Sequence, residues 1–150
     1  MLNTISTFWA DYGSILLTGD MKLDEEYALL EAGVVPACDV LKIPFHGDNS
    51  ATSDSFLQAV SPKAALICTA TREEPDTPAR SLLKSLGRLD IPYAVTQDYT
   101  RGVCVTLSNG TVAFSDIVWD TPDYSASVRL KLSNDDHILT LQNSSAQDIS

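Results

Sequence analysis

The 150-residue chain has few basic residues and no long apolar run. Ten lysines and arginines stand against twenty aspartates and glutamates, which gives a formal charge of −10. Such a surface does not suit phosphate neutralisation on a nucleic acid or docking on an anionic membrane. The longest apolar runs, such as Ile15–Leu17 and Ala64–Ile67, are far shorter than the roughly 20 residues that span a bilayer. We therefore expect neither a membrane nor a nucleic acid as a partner.

Signals for export and for cysteine-based sites are also missing. The segment Met1–Tyr12 carries Asp11 and no lysine or arginine, so it lacks the basic start and the long apolar stretch of a signal peptide. The three cysteines, Cys38, Cys68 and Cys104, form no CxxC pair and no zinc-ribbon spacing. We expect reduced, structural cysteines in a cytoplasmic protein.

The sequence does contain an alternation of strand-like and helix-like segments, in a length that suits one domain. Predicted strands lie at residues 6–11, 15–18, 39–44, 64–69, 92–96, 102–107 and 112–114. Three predicted helices lie between them. The first begins near Leu23 and stops at Gly33, the second follows residues 52–53 through Val60, and the third begins at Pro78 and ends at Gly87 or near Asp90. Thr52 or Ser53 can cap the second helix, and Thr77 with Pro78 favours the start of the third. This order predicts an α/β fold in which about three helices pack on a mixed sheet.

The pattern changes after about Asp116. Residues 128–132 and 138–141 alternate apolar and polar side chains around a polar segment at 134–136, which predicts a C-terminal β-hairpin with one solvated face. We divide the chain into a main unit at residues 1–116, a hairpin extension at 117–142 and a polar tail at 143–150. His137 lies in the predicted turn, where a solvated histidine is expected.

Two strand ends carry the residues best suited to chemistry. Leu17–Asp20 places an aspartate just after an apolar strand, and Pro44–Asp48 places His46 and Asp48 after the next one. Ligands of α/β sheets bind at the carboxyl ends of strands. A carboxylate and an imidazole are suitable ligands for a divalent metal. The same residues also fit an ordinary turn and a solvated histidine, so the pattern alone leaves both interpretations open.

A resemblance to a known family is carried by three segments. They read ILLTGDMKLDEEYALLEAG, DVLKIPFHGDNSATSDSFLQAVSPKAALI and TPARSLLKSLGRLDIPYAVT. With the strands that follow, they cover about Phe8–Phe114 and resemble metallo-β-lactamase-fold hydrolases, in particular the soluble C-terminal domain of ComEC-type DNA-uptake competence proteins. That family has an αββα sandwich with a dinuclear metal site, often zinc, and hydrolyses esters, amides and phosphodiesters with a metal-activated hydroxide. The resemblance implies half of such a sandwich.

The resemblance also assigns two metal ligands. Asp20 matches the aspartate of the family's Gly-Asp motif, which bridges two metals. His46 matches a histidine of the His-His-Gly loop, which is a ligand to one metal. Zinc or manganese is the implied ion, and no catalytic residue is assigned.

This sequence departs from the family in three ways. The HxHxDH signature, which supplies most of the ligands and the water-activating aspartate, is absent, and the chain has only two histidines. Phe45 occupies one position of the His-His-Gly loop. Pro75–Pro78 stands where this branch often has a histidine. A catalytic zinc usually has three protein ligands. We therefore expect the isolated chain to hold no metal and to be inactive.

Two functions of different classes follow. In the first, the chain is a truncated or degenerate hydrolase for phosphodiesters or esters, and its site needs a separate chain that carries the missing half. In the second, it is a non-catalytic binding or scaffold module that forms a homodimer, because half a sandwich exposes an apolar sheet face. The C-terminal segment at 116–141 could cover that face instead.

Overall fold

The computed structural model describes residues 6–10, 13–118, 128–132 and 139–143. Within these ranges the chain forms three α-helices and two β-sheets. The strands are β1 (Ser6–Ala10), β2 (Gly13–Leu17), β3 (Val40–Lys42), β4 (Ala64–Ile67), β5 (Tyr93–Val95), β6 (Val103–Ser108), β7 (Thr111–Asp116), β8 (Val128–Leu132) and β9 (Leu139–Asn143). The helices are α1 (Leu23–Ala32), α2 (Asp54–Val60) and α3 (Arg80–Arg88).

The first sheet is mixed, as predicted. Its strand order is β1-β2-β3-β4-β5. β1 and β2 form an antiparallel hairpin, and the remaining pairs are parallel. Each parallel connection passes through one helix, because adjacent parallel strands need a crossover. The strands β2, β3 and β4 therefore end at the same edge of the sheet, which is where the predicted site residues follow them.

The second sheet is antiparallel, with the order β7-β6-β8-β9. The predicted C-terminal hairpin is confirmed as β8 and β9, and β8 pairs with β6. In that register Val105 lies opposite Leu130, and Leu107 lies opposite Val128. The division of the chain at residues 116 and 142 stays a prediction. The predicted turn with His137, and the chain after Asn143, lie outside the described residues.

The apolar core has two parts, one on each face of the first sheet. Adjacent residues of a strand point to opposite faces. On one face, Leu41 and Ile67 pack against α2 and α3 through Phe56, Leu57 and Leu86. On the other face, a second cluster joins the two sheets, formed by Ile15, Val40, Leu66, Ala94, Val103, Val105 and Leu107. The sheet face that was expected to need a partner is covered by β6 and β7 of the same chain. The partner itself, a homodimer or a separate half-domain chain, stays a prediction.

Helix starts agree with the sequence in one case and differ in another. Ser53 caps α2, and its hydroxyl accepts a hydrogen bond from the Phe56 amide at 3.1 Å. The start predicted for α3 at Thr77 and Pro78 is wrong, because the helix begins at Arg80 after Ala79. The Thr77 hydroxyl donates to the Glu74 carbonyl at 2.9 Å, so it stabilises the preceding loop rather than the helix.

None of the helices in the described ranges is long and apolar enough to cross a membrane. The cytoplasmic location stays a prediction.

Candidate metal centre

The two predicted ligands lie next to each other at the carboxyl edge of the first sheet. Asp20 follows β2, and His46 lies in a short 3₁₀ turn, Pro44–Gly47, that follows β3. His46 Nε2 is 3.4 Å from Asp20 Oδ1. The two loops are joined directly, because the Phe45 amide donates to the Gly19 carbonyl at 3.1 Å. The parallel pairing of β2 and β3 thus brings together residues that are far apart in sequence.

An unusual backbone conformation presents the histidine. Phe45 and His46 have φ values of 44° and 56°, in the left-handed region that residues with a Cβ rarely adopt. Gly47 continues the turn at φ 81°, and a Cβ there would lie 3.0 Å from the Leu82 side chain. Such strained residues persist where surrounding contacts determine them, often at functional sites. The turn leaves the His46 side chain partly exposed, at 32%, beside the more exposed Asp20.

The other ring nitrogen of His46 faces the loop after β4. Nδ1 is 2.9 Å from the carbonyl oxygen of Cys68 and 3.5 Å from Glu74 Oε2. A carbonyl oxygen only accepts hydrogen bonds, so this contact requires a hydrogen on Nδ1. In a neutral imidazole, Nε2 then carries a lone pair directed at the Asp20 carboxylate. Two acceptors facing each other need a cation between them, either a proton or a metal ion.

Glu74 is a candidate site residue that sequence reasoning missed. Its carboxylate accepts a hydrogen bond from the Thr69 hydroxyl at 3.3 Å. Thr69 is buried, and its backbone amide donates to the Thr96 hydroxyl at 3.1 Å. Thr77 contacts Thr69 through their hydroxyl groups. The threonines hold the loop against the sheet, but no motif around Glu73 and Glu74 indicates which glutamate turns inward.

An acidic pocket of about 220 Å³ opens beside His46. Its lining comes from two loops: Phe45, His46, Asp48, Glu74, Pro75, Asp76 and Thr77. Hydrogen bonds from the hydroxyl and amide of Ser50, at 2.6 and 2.8 Å, hold the pKa of Asp48 below its usual range. Asp48 is therefore ionised at neutral pH. The pocket favours cations over anions, because its lining contains three carboxylates and no lysine or arginine.

Among the described residues, Asp20 and His46 do not belong to a full set of metal ligands. In the part of the chain that the structure describes, no group of three histidine, cysteine or acidic side chains could hold a metal ion. Burial raises the pKa of Cys38 to about 12 and that of Cys68 to about 11, so both thiols are protonated at neutral pH in the metal-free protein. The assignment of Asp20 and His46 as metal ligands stays a prediction.

Comparisons with known proteins give one weak similarity. No protein-family model matches the chain. The chain is similar to ComE operon protein 3 of Bacillus subtilis (strain 168), with 29% identity over 91 residues. The similarity covers 59% of this chain and 12% of that protein, so the chain spans only a small part of its relative. It supports a link with a ComE operon protein and leaves the enzyme class open.

Proposed function

We propose that this chain is the second half of a metallo-β-lactamase-like hydrolase site. In it, Asp20 and His46 hold a divalent ion, zinc or manganese, and another chain or segment supplies the missing ligands. The weak similarity to ComE operon protein 3 supports this proposal, since it agrees with the resemblance of the sequence to competence proteins. The order of strands and helices up to β5 is also consistent with half of an αββα sandwich.

The observation that carries the proposal is the 3.4 Å separation of His46 Nε2 and Asp20 Oδ1. Two ligands of a tetrahedral zinc ion, each about 2.0 to 2.2 Å from the metal, lie about 3.3 to 3.5 Å apart. Because Nδ1 lies 2.9 Å from the Cys68 carbonyl oxygen, we propose Nε2 as the nitrogen that binds the ion. The spacing of the pair supports this proposal.

The missing ligands determine what the isolated chain does. With two ligands in place of the usual three or more, we expect weak metal binding and no hydrolysis. In a completed site, the bound ion would lower the pKa of a water molecule and supply a hydroxide for phosphodiester or ester hydrolysis. This chain would contribute the two ligands and their orientation. The acidic pocket would not hold an anionic substrate by itself.

Metal titration tests the assignment of the two ligands. We expect zinc to bind the wild-type chain weakly and Asp20→Ala or His46→Ala to abolish the binding. Asp24→Ala is the matched control for Asp20, because it removes an exposed carboxylate from the first turn of α1, outside the site. The measurement is isothermal titration calorimetry, with metal content by elemental analysis and molar mass from light scattering.

The same data separate the proposed site from a scaffold module. Equal zinc binding by all variants would contradict the ligand assignment. A chain that forms a metal-free homodimer, unchanged by Asp20→Ala or His46→Ala, would favour the scaffold. If binding is lost in the two site variants alone, a chain carrying an HxHxDH signature becomes the partner to add, and phosphodiester hydrolysis by the mixture is then expected.

A further inference from the structure

The His46 ring is surrounded by three oxygen atoms that all accept hydrogen bonds. Asp20 Oδ1 faces Nε2, while the Cys68 carbonyl and Glu74 Oε2 face Nδ1. A neutral imidazole carries one N–H group, which can serve only one side of the ring. The side that receives the hydrogen decides whether Nε2 has a lone pair for a metal. A residue that biases this choice controls metal binding without touching the metal.

We infer that Glu74 is a positioning residue that keeps the hydrogen of His46 on Nδ1, so that Nε2 is available to a divalent ion at Asp20. This inference rests on the proposed function. The Asp20 carboxylate attracts the hydrogen toward Nε2. On the other side, a neutral carbonyl acts together with the negative charge of Glu74, 3.5 Å from Nδ1. Without that charge the balance shifts toward an Nε2–H group that donates to Asp20, and a metal then has to displace this hydrogen.

The position of Glu74 is determined by the surrounding loop. Thr69 donates to the same carboxylate oxygen that faces His46. The backbone of Thr69 makes two hydrogen bonds to the Thr96 side chain. The Thr69 amide donates to the Thr96 hydroxyl, and this hydroxyl donates to the Thr69 carbonyl, each at 3.1 Å. The adjacent Thr77 bonds the Glu74 carbonyl. Carboxylates that hold a ligating histidine in this way commonly change metal affinity by about 10- to 100-fold when they are replaced.

Glu74→Gln and Glu73→Gln form a matched pair for the test. Both remove one negative charge from the same loop, but Glu73 is exposed and lies outside the pocket. The tautomer of His46 is read in the metal-free protein by long-range ¹H–¹⁵N NMR, with the pH raised until the ring signals no longer change. We expect the Nδ1–H form in the wild type and in Glu73→Gln, and a substantial Nε2–H population in Glu74→Gln. Zinc affinity is expected to fall about tenfold in Glu74→Gln and to stay unchanged in Glu73→Gln.

The tautomer measurement tests the role of Glu74, and the zinc affinity tests the proposed metal centre. If Glu74→Gln keeps the Nδ1–H form, or if the wild type already has the Nε2–H form, the role of Glu74 is refuted whether or not metal binds. If the tautomer shifts but the wild type binds no zinc, the proposed metal centre fails, while the effect of Glu74 on His46 stands.

Discussion

The Glu26 side chain connects α1 to the segment that follows the candidate metal centre. It is fully buried, and its carboxylate accepts hydrogen bonds from the backbone amides of Thr52 and Ser53. These amides precede α2, and the same segment continues the loop that contains His46 and Asp48. A buried carboxylate is costly unless its oxygens are bonded, so the two amides and Glu26 depend on each other.

We expect Glu26→Ala to lower the free energy of unfolding by about 2 to 3 kcal/mol, because two amides lose their acceptor in a buried place. Glu31→Ala is the control, since Glu31 is exposed on the same helix, and a change within about 0.5 kcal/mol is expected there. Urea denaturation followed by circular dichroism measures both values. Equal stability of the two variants would mean that Glu26 does not hold this segment.

Among single residues, the sequence indicates Asp20 and His46 but not Glu74. Both predicted ligands directly follow apolar strands, and that signal is local. Glu74 faces His46 only because β3 and β4 are neighbours and the threonines near Thr69 turn its loop inward. A contact of this kind depends on the folded loop. Neither the spacing nor the composition of residues 69–77 predicts it.

At the scale of elements, Asp39 joins the starts of three parallel strands. Its carboxylate lies 2.7 Å from the Nζ atom of Lys63, the residue that precedes β4. The same carboxylate accepts hydrogen bonds from the amide and hydroxyl of Ser14 in β2. Burial alone would raise the pKa of Asp39, but the hydrogen bonds from Lys63 and Ser14 outweigh it and lower the pKa. The contacts lie at the opposite end of the strands from the candidate metal centre.

This lowered pKa predicts a loss of stability in acid. A carboxyl group with a lowered folded-state pKa stabilises the protein above its unfolded pKa of about 3.9, and this contribution disappears as the pH falls through the folded-state value. We expect Asp39→Asn to be less stable than the wild type at neutral pH, and the difference to shrink below about pH 4. Urea midpoints across this range measure it. Asp98→Asn, at an exposed position, is the control, and its difference in stability from the wild type should not change with pH. If the difference for Asp39→Asn is also constant across this pH range, the argument is refuted.

The predicted elements were most accurate where local chemistry decides them. The Asn109-Gly110 pair forms the two-residue turn between β6 and β7, and Asn-Gly is the dipeptide that such a hairpin turn prefers. Ser53 caps α2, since its hydroxyl accepts a hydrogen bond from the helix amide of Phe56. Thr77 has another partner in the Glu74 carbonyl, so the same rule gives the wrong start for α3. A capping residue predicts a helix start only when its side chain has no other hydrogen-bond partner in the preceding loop.

At the scale of the whole molecule, the α/β class and the three helices follow from the alternation of apolar segments. The separation into two sheets does not. An alternating strand such as Val103–Ser108 has the same pattern whichever sheet it joins, and the pairing of β6 with β8 spans a long stretch of chain. Sequence reasoning therefore expected an open apolar face. The structure covers that face with Val103, Val105 and Leu107.

Because the two sheets pack against each other, shortening one buried valine between them should markedly lower the free energy of unfolding. Val105 is 1% exposed between the sheets, whereas Val118 is 61% exposed after β7. We expect Val105→Ala to cost about 2 kcal/mol, because it removes buried apolar surface and leaves a cavity, and Val118→Ala to cost less than about 0.5 kcal/mol. Both should unfold in one transition by far-ultraviolet circular dichroism and intrinsic fluorescence. If the two variants are equally stable, the second sheet does not cover the first in solution. The exposed face would then again require a second chain.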